Sequence, residues 1–365
     1  MPVLIAGIGA AALALAGCTS AAPGDAGSGS DSEHLRVVTT TTQLTDFAAR
    51  VGGDDIELTG LLASGASAHH FDPTPADLMT LAGADVLIVN GAGLDEFIDR
   101  AVTSSGFAGT IIDASEGIDL DEARAITAEA EEQGAADGGE HDHAEHDHAE
   151  DAGDAEHDHD DHADHSHDHD HDHDDLTPHL WTTPRYAADM VTEIAAGLAE
   201  ADPAHAADFT ARAEAYTEQL TLLDEWIAAQ FAAVPEADRV LVTGHDSLRY
   251  YLHDYDIAFA GALLPSFEDN AEPSAAEIDA LVAAIRDSGV KAIFVESSLS
   301  PKLAQTVANE AGVTVLDADS LYVDSLGGEA SGADTYLSAM VHNTRVILKG
   351  WGHESTPLPQ ELEAE

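Results

Sequence analysis

The sequence predicts an α/β protein with two lobes that contain parallel sheets and are joined by one long rigid helix. Short apolar segments typical of buried strands alternate with helical segments in both halves of the chain. Between the halves, an apolar stripe with helical spacing continues from about residue 205 to about residue 233. The chain has 365 residues, more than one ordinary domain, so we expect two lobes.

The first half contains four candidate strands, each a short apolar run between turn residues, at 36–39, 57–61, 86–89 and 111–113. A helix start lies between the second and the third strand. Thr74 can cap it, Pro75 fits its first position, and Asp77 suits its positive end. This β–α order predicts a parallel or mixed sheet with helices on its faces.

An acidic, histidine-rich tract then interrupts the pattern from about Glu129 to Asp175. Residues 137–175 contain 18 acidic residues and 12 histidines but no Lys or Arg. The tract has no apolar residue larger than alanine, so it cannot offset its ordering entropy by burial. We therefore predict that 129–175 is a disordered insertion.

In the second half, a helix is predicted to begin near Pro184, and Asp202–Pro203 separates it from the long helix. The apolar stripe of the long helix consists of Phe209, Ala213, Tyr216, Leu220, Leu223, Ile227 and Phe231. At 1.5 Å per residue such a helix is about 43 Å long, enough to bridge two lobes as a stiff spine.

The β–α order returns after this helix, with candidate strands at 240–243, 258–263, 292–295 and 313–316. Ser274 and Glu277 form a capping box for a helix that continues to about Ser288. The last predicted helix covers about 334–349, and the chain ends in a polar, proline-containing tail.

The charge of the protein argues against some classes of binding partner. There are 70 Asp and Glu against 13 Lys and Arg, a formal net charge of -57. This charge argues against nucleic-acid binding, which requires basic surface. It also disfavours anionic ligands and favours cations by electrostatic steering.

The N-terminus predicts export and lipid attachment. Val3–Ala16 is an apolar run too short to span a bilayer and typical of a secretory signal. Leu15–Cys18 resembles a bacterial lipobox, in which the cysteine is lipidated and becomes the mature N-terminus. No Lys or Arg precedes the run, which leaves open a translation start upstream of Met1. We expect an extracytoplasmic protein attached to the cell membrane through Cys18, without disulfides or thiolate metal sites.

Several histidines and one aspartate follow predicted strands or begin predicted helices, where ligand sites of α/β sheets lie. His69 and His70 follow the second strand, and His179 precedes the helix that begins near Pro184. His245 directly follows the strand at 240–243, and Asp324 lies in a loop after the strand at 313–316.

Six motifs around these positions resemble the metal-binding solute-binding proteins of bacterial zinc and manganese ABC transporters. In chain order they are HHFDPTP (69–75), PHLWTTP (178–184), TGHDSLRYY (243–251), EPSAAEI (272–278), FVESSLSPKLA (294–304) and DSLGGEASGADTYLSAMVHN (324–343). The resemblance covers about Leu35 to Trp351.

The resemblance implies a metal ion held in the cleft between two α/β lobes, and delivery of that ion to a membrane permease. It implies the ligands His69, His179, His245 and Asp324. Together with the signal, the linker and the tail read from the residues, it gives the following organisation: signal peptide 1–17, linker 18–34, N-terminal lobe 35–203, linking helix 204–234, C-terminal lobe 235–353 and tail 354–365.

The first ligand has an alternative. His69 lies two residues before the aromatic Phe71, as the family ligand does, and is therefore preferred over His70. Phe71 and Asp72 stand where the family usually has Tyr and Glu, and Ser67–Ala68 replaces the usual Asp-Pro.

Three imidazoles and one carboxylate suit Zn²⁺ in a four-coordinate site, and a filled coordination shell binds without catalysing. The imidazole-rich set favours Zn²⁺ over Mn²⁺, although the carboxylate keeps Mn²⁺ possible. Two ligands from each lobe would make lobe closure part of binding, and the spine would keep that motion small. We expect a monomer.

The tract itself is a candidate for auxiliary, low-affinity metal binding through His141, His143, His146, His148, His157, His159, His162, His165, His167, His169, His171 and His173. The alternative is a solvated insertion without a metal role. Two other classes of protein are alternatives: a secreted zinc hydrolase, which the absence of an H-E-x-x-H motif disfavours, and a surface adhesin whose metal is structural. Glu296 is assigned a structural hydrogen-bonding role and Trp181 a packing role.

Overall fold

The structure is a computed structural model that describes residues 34–69, 71–137, 176–264, 266, 272–297 and 301–363. The predicted signal segment, Cys18, the linker up to residue 33, His70 and the twelve tract histidines lie outside these residues. The strands of the described part are β1 (Leu35–Thr39), β2 (Ile56–Gly60), β3 (Val86–Val89), β4 (Thr110–Asp113), β5 (Val240–His245), β6 (Ala258–Leu264), β7 (Ala292–Glu296) and β8 (Thr314–Leu321). The helices are α1 (Thr42–Gly52), α2 (Pro75–Gly83), α3 (Glu96–Ser105), α4 (Leu120–Asp137), α5 (Pro184–Ala201), α6 (Ala206–Ala232), α7 (Arg249–Asp254), α8 (Ala275–Ser288), α9 (Pro301–Ala311) and α10 (Tyr336–Trp351).

The N-terminal lobe is built on a parallel four-stranded sheet in the order β2-β1-β3-β4. Successive residues of a strand face opposite sides, so each face has its own core. Val38 and Leu87 pack with Ile98 of α3 on one face. Val37 and Ile88 belong to the larger core on the other face, which contains residues of α1 and α5. The sheet is therefore covered by helices on both faces.

The C-terminal lobe contains two parallel strand pairs, β5–β6 and β7–β8. Val242 of β5 and Ile293 of β7 share a core with Ile285 of α8 and Val307 of α9. Together with the N-terminal sheet, these pairs confirm the predicted α/β fold with parallel sheets.

The long helix α6 has 27 residues and lies inside the predicted range. All seven residues of its predicted apolar stripe are buried. One continuous apolar core extends from Val37 of the N-terminal sheet through Phe231 of α6 to Trp351 of α10. Because close-packed interiors resist deformation, this core ties the two lobes together.

The capping predictions are confirmed. Thr74 and Asp77 form a capping box at α2, and Ser274 and Glu277 form one at α8. The last helix starts at Tyr336 instead of 334, because Thr335 caps it through the backbone N–H of Ser338. β8 also continues to Leu321, five residues beyond the predicted strand end at 316.

The predicted start of the insertion at residue 129 is wrong, because helix α4 continues to Asp137. The prediction considered only burial. A helix that has already formed can be extended by residues of high intrinsic propensity, and 129–137 is rich in Ala, Glu and Gln.

The polar tail predicted at 354–365 packs against α6. The Trp226 Nε1–H of α6 donates to the carbonyl oxygen of Pro357 at 3.2 Å, and the Gln230 side chain bonds to Thr356. Leu362 is 7% exposed and joins the main core. The isolated leucines of a mostly polar segment are enough to dock it on the spine. Among the described helices, none is both long and apolar enough to cross a membrane.

Candidate metal centre

The four candidate ligands come from four different segments of the fold. His69 lies in the loop after β2, and His179 lies in the short segment before α5. His245 is the last residue of β5, and Asp324 follows β8. Both lobes thus contribute two residues, three of them at the carboxyl ends of parallel strands, where ligand sites of such sheets form.

The structure brings these side chains together. The Nε2 atom of His179 is 3.0 Å from His69 Nε2 and 3.1 Å from His245 Nε2. The Oδ1 atom of Asp324 is 3.4 Å from the Nε2 of His245, 3.6 Å from that of His179 and 3.9 Å from that of His69. One ligand atom from each residue therefore lies within 4.8 Å of every other.

These distances suit a single enclosed ion. Ligand atoms about 2.0 to 2.2 Å from a tetrahedral Zn²⁺ lie about 3.3 to 3.6 Å from one another. Five of the six separations, 3.0 to 3.9 Å, bracket that range, and the sixth, between His69 and His245, is within 4.8 Å. Within the described ranges, no other group of three or more His, Cys, Asp or Glu residues converges in this way.

The four side chains are buried, with at most 5% of each exposed, and their charged groups shift one another's pKa values. Burial lowers the pKa of His179. Burial also disfavours the charged form of His245, but the carboxylates of Glu296 and Asp324 outweigh it and raise the His245 pKa well above its usual value. Burial likewise opposes ionisation of Asp324, yet the neighbouring histidines hold its pKa well below the usual range. At neutral pH the site therefore presents an ionised carboxylate and a neutral His179.

Hydrogen bonds to the far side of two imidazole rings direct their Nε2 atoms inward. The Nδ1–H of His245 donates to Glu296 Oε2 at 2.6 Å, and Glu296 Oε1 accepts from the backbone N–H of Gly244 and His245. His179 Nδ1 lies 2.8 Å from Thr177 Oγ1. Such partners fix the ring orientation and tautomer of metal-binding histidines. This is the structural hydrogen-bonding role assigned to Glu296 from the sequence.

Trp181 packs edge-on against the His179 ring, with 5.3 Å between ring centroids, as its predicted packing role requires. Its indole N–H also donates to the Val323 carbonyl, beside Asp324. Gln43 donates to the same carbonyl. Sequence reasoning missed Gln43 and Thr177, because a buried amide or hydroxyl outside a motif gives no signal.

His70, the alternative first ligand, lies outside the described residues, so the role of His69 as the ligand remains a prediction. The other described histidines (His34, His205, His253, His342 and His353) do not belong to the converging group.

Known proteins resemble this chain over most of its length. The profile of a family described as zinc-uptake complex component A, periplasmic, matches residues 37–350. The manganese-binding lipoprotein MntA of Halalkalibacterium halodurans is 28% identical over 339 residues, which are 93% of this chain and 95% of the relative. The iron-binding protein YfeA of Yersinia pestis is 26% identical over 320 residues, which are 88% of this chain and 87% of the relative.

The fold also matches a solved structure, the periplasmic zinc-binding protein TroA from Treponema pallidum. The TM-score is 0.68 at 22% identity, over 87% of this chain and 99% of that chain. At this identity the match shows a shared two-lobed fold.

Proposed function

Because the chain belongs to the zinc-uptake complex component A family, we propose that it captures Zn²⁺ outside the cytoplasm and delivers it to an ABC-type import permease. The family is one of metal-binding transport proteins, so the metal ion is the cargo. The observation that supports this proposal most directly is the convergence of three imidazole nitrogens and one carboxylate oxygen between the lobes.

Zn²⁺ is the proposed cargo because of the ligand set. Divalent first-row metal ions differ in their affinity for a given set of ligands, and Mn²⁺ has the lowest affinity of them. Three nitrogen ligands and one oxygen ligand therefore suit Zn²⁺ better than Mn²⁺. The relatives named above are described as manganese-binding, iron-binding and zinc-binding proteins. Mn²⁺ is therefore the alternative cargo, and a competition experiment distinguishes the two.

The experiment is a titration of the purified protein with Zn²⁺ and Mn²⁺ against a chromophoric chelator. We expect one tight Zn²⁺ site and much weaker Mn²⁺ binding. His245→Ala should weaken Zn²⁺ binding by orders of magnitude. The matched control is His253→Ala, an exposed histidine on α7, which should bind as the wild type does. Tighter Mn²⁺ than Zn²⁺ binding would identify the alternative cargo, and equal loss in both variants would contradict the site.

We also propose that Cys18 anchors the protein to the membrane. Its lipobox supports this, and the Halalkalibacterium relative is named a lipoprotein. Metabolic labelling with a tagged fatty acid should label the wild type and leave Cys18→Ser unlabelled. Label on both proteins would exclude Cys18 as the attachment point.

For the tract we propose weak, multi-site metal capture, which its twelve histidines and many carboxylates support. Isothermal titration of a variant that lacks residues 138–175 should lose the low-affinity Zn²⁺ sites and keep the tight one. Unchanged stoichiometry would refute extra binding by the tract.

A further inference from the structure

The segment around Asp324 is held by hydrogen bonds from both lobes. Within the C-terminal lobe, Asn343 of α10 accepts from the Tyr322 N–H at 2.9 Å and donates to the Tyr322 carbonyl at 2.7 Å. Asn343 and Tyr322 belong to the same lobe, so these two bonds persist however the lobes are arranged.

The carbonyl of the next residue, Val323, accepts hydrogen bonds from the N-terminal lobe. Gln43 Nε2 and Trp181 Nε1 both donate to the Val323 oxygen, each at 2.8 Å. Gln43 is 2% exposed, Trp181 2% and Val323 3%, so water does not compete for these bonds. The Thr42 hydroxyl donates to Gln43 Oε1 at 3.0 Å, which orients the amide with its N–H groups toward Val323.

Two more bonds from the N-terminal lobe follow Asp324. The Leu326 N–H donates to Thr42 Oγ1 at 2.9 Å, and the Gly65 N–H donates to Ser325 Oγ at 2.7 Å. The candidate ligand therefore lies in a short segment whose neighbours on both sides bond across the cleft.

We propose that Gln43 and Trp181 are positioning residues that set Asp324 in its place as a metal ligand only while the lobes are closed. This inference rests on the proposed function. When the lobes separate, the Val323 carbonyl loses both donors, and the backbone that orients the Asp324 carboxylate is released. Trp181 follows His179 by two residues, so its indole links one ligand segment to the other. Closure and full coordination thereby become one event, and metal release requires both bonds to break.

The test uses Gln43→Met, Trp181→Phe and the double variant. Each single substitution removes one N–H donor and leaves an apolar side chain in its place. We expect Zn²⁺ release to an excess of chelator, followed by stopped flow, to accelerate about tenfold in each single variant, the scale of losses around metal ligands. The double variant should exceed the combined single effects, because one remaining donor still satisfies the shared carbonyl. With Co²⁺ as the probe, its visible spectrum should shift toward that of Asp324→Ala.

The matched controls are Gln230→Met and Trp226→Phe, the same substitutions among the buried bonds between α6 and the tail. They should lower thermal stability without changing metal release or the Co²⁺ spectrum. If the Gln43 and Trp181 variants behave like these controls, the inference is wrong. If the wild type binds neither Zn²⁺ nor Co²⁺, it is the proposed function that fails.

Discussion

Glu296 shows how a residue that need not touch the metal can decide whether a ligand is available. Its carboxylate accepts the Nδ1–H of His245, so the neutral ring has its lone pair on Nε2, the atom that faces the other candidate ligands. A neutral amide at this position could donate to Nδ1 instead, which would favour the other tautomer and place the proton on Nε2.

We therefore predict that Glu296→Gln weakens Zn²⁺ binding by about 10- to 100-fold, the usual loss for partners of metal-binding histidines. Chelator competition measures the affinity. Glu277→Gln, an exposed capping residue of α8, is the control and should leave the affinity unchanged. Wild-type affinity in Glu296→Gln would mean that the tautomer is held by something else.

At the residue scale, sequence reasoning located His179, His245 and Asp324 because each stands beside a predicted strand or helix within a motif. It could not find Gln43, whose partner Val323 is 280 positions away along the chain. A side chain that acts through such a distant contact has no local pattern, and only the folded chain reveals its role. The function of the four converging residues as ligands stays a prediction until metal binding is measured.

At the scale of elements, strands and the long helix were predictable because apolar periodicity directly reflects which face is buried. The tail was not, since its docking depends on single contacts with α6. Helix α4 continues past residue 129, the predicted start of the insertion, because helix propensity does not require a buried face. Local patterns thus predict the elements with a large buried face and miss those held by a few contacts.

The docked tail yields a stability prediction. Leu362 is 7% exposed and belongs to the main core, so Leu362→Ala should lower the free energy of unfolding by about 2 kcal/mol, the low end for buried leucines. The neighbouring Glu363 is exposed, so Glu363→Ala should change the free energy of unfolding by no more than about 0.5 kcal/mol. Urea unfolding followed by circular dichroism measures both; equal stabilities would show that the tail does not contribute to folding.

At the scale of the whole molecule, the two-lobed fold was predictable from the sequence. The opposite pKa shifts of two histidines in the site were not. Glu296 at the end of β7 and Asp324 in the loop after β8 raise the pKa of His245, whereas burial lowers that of His179. His245 therefore keeps its proton to a higher pH than a free histidine does, and a metal ion must displace that proton.

The affinity for Zn²⁺ should consequently still increase between pH 6 and pH 8, instead of levelling off above the ordinary histidine pKa of about 6.5. The sign follows from competition: as pH rises through the raised pKa of His245, the Nε2 proton is lost and the ligand becomes available. Chelator competition at pH 6, 7 and 8, corrected for the chelator's own protonation, measures this. A constant affinity over that interval would contradict the raised pKa.

The apolar core that continues through α6 has a consequence for how the protein meets the permease at the cell surface. If the core through α6 keeps the lobe motion small, as the sequence predicts, a permease would meet nearly the same surface on the metal-loaded and on the empty protein. Metal-free protein would then occupy binding sites on the permease that metal-loaded protein needs. Uptake should fall when carriers greatly outnumber ions, so the cell gains by matching the number of carriers to the supply.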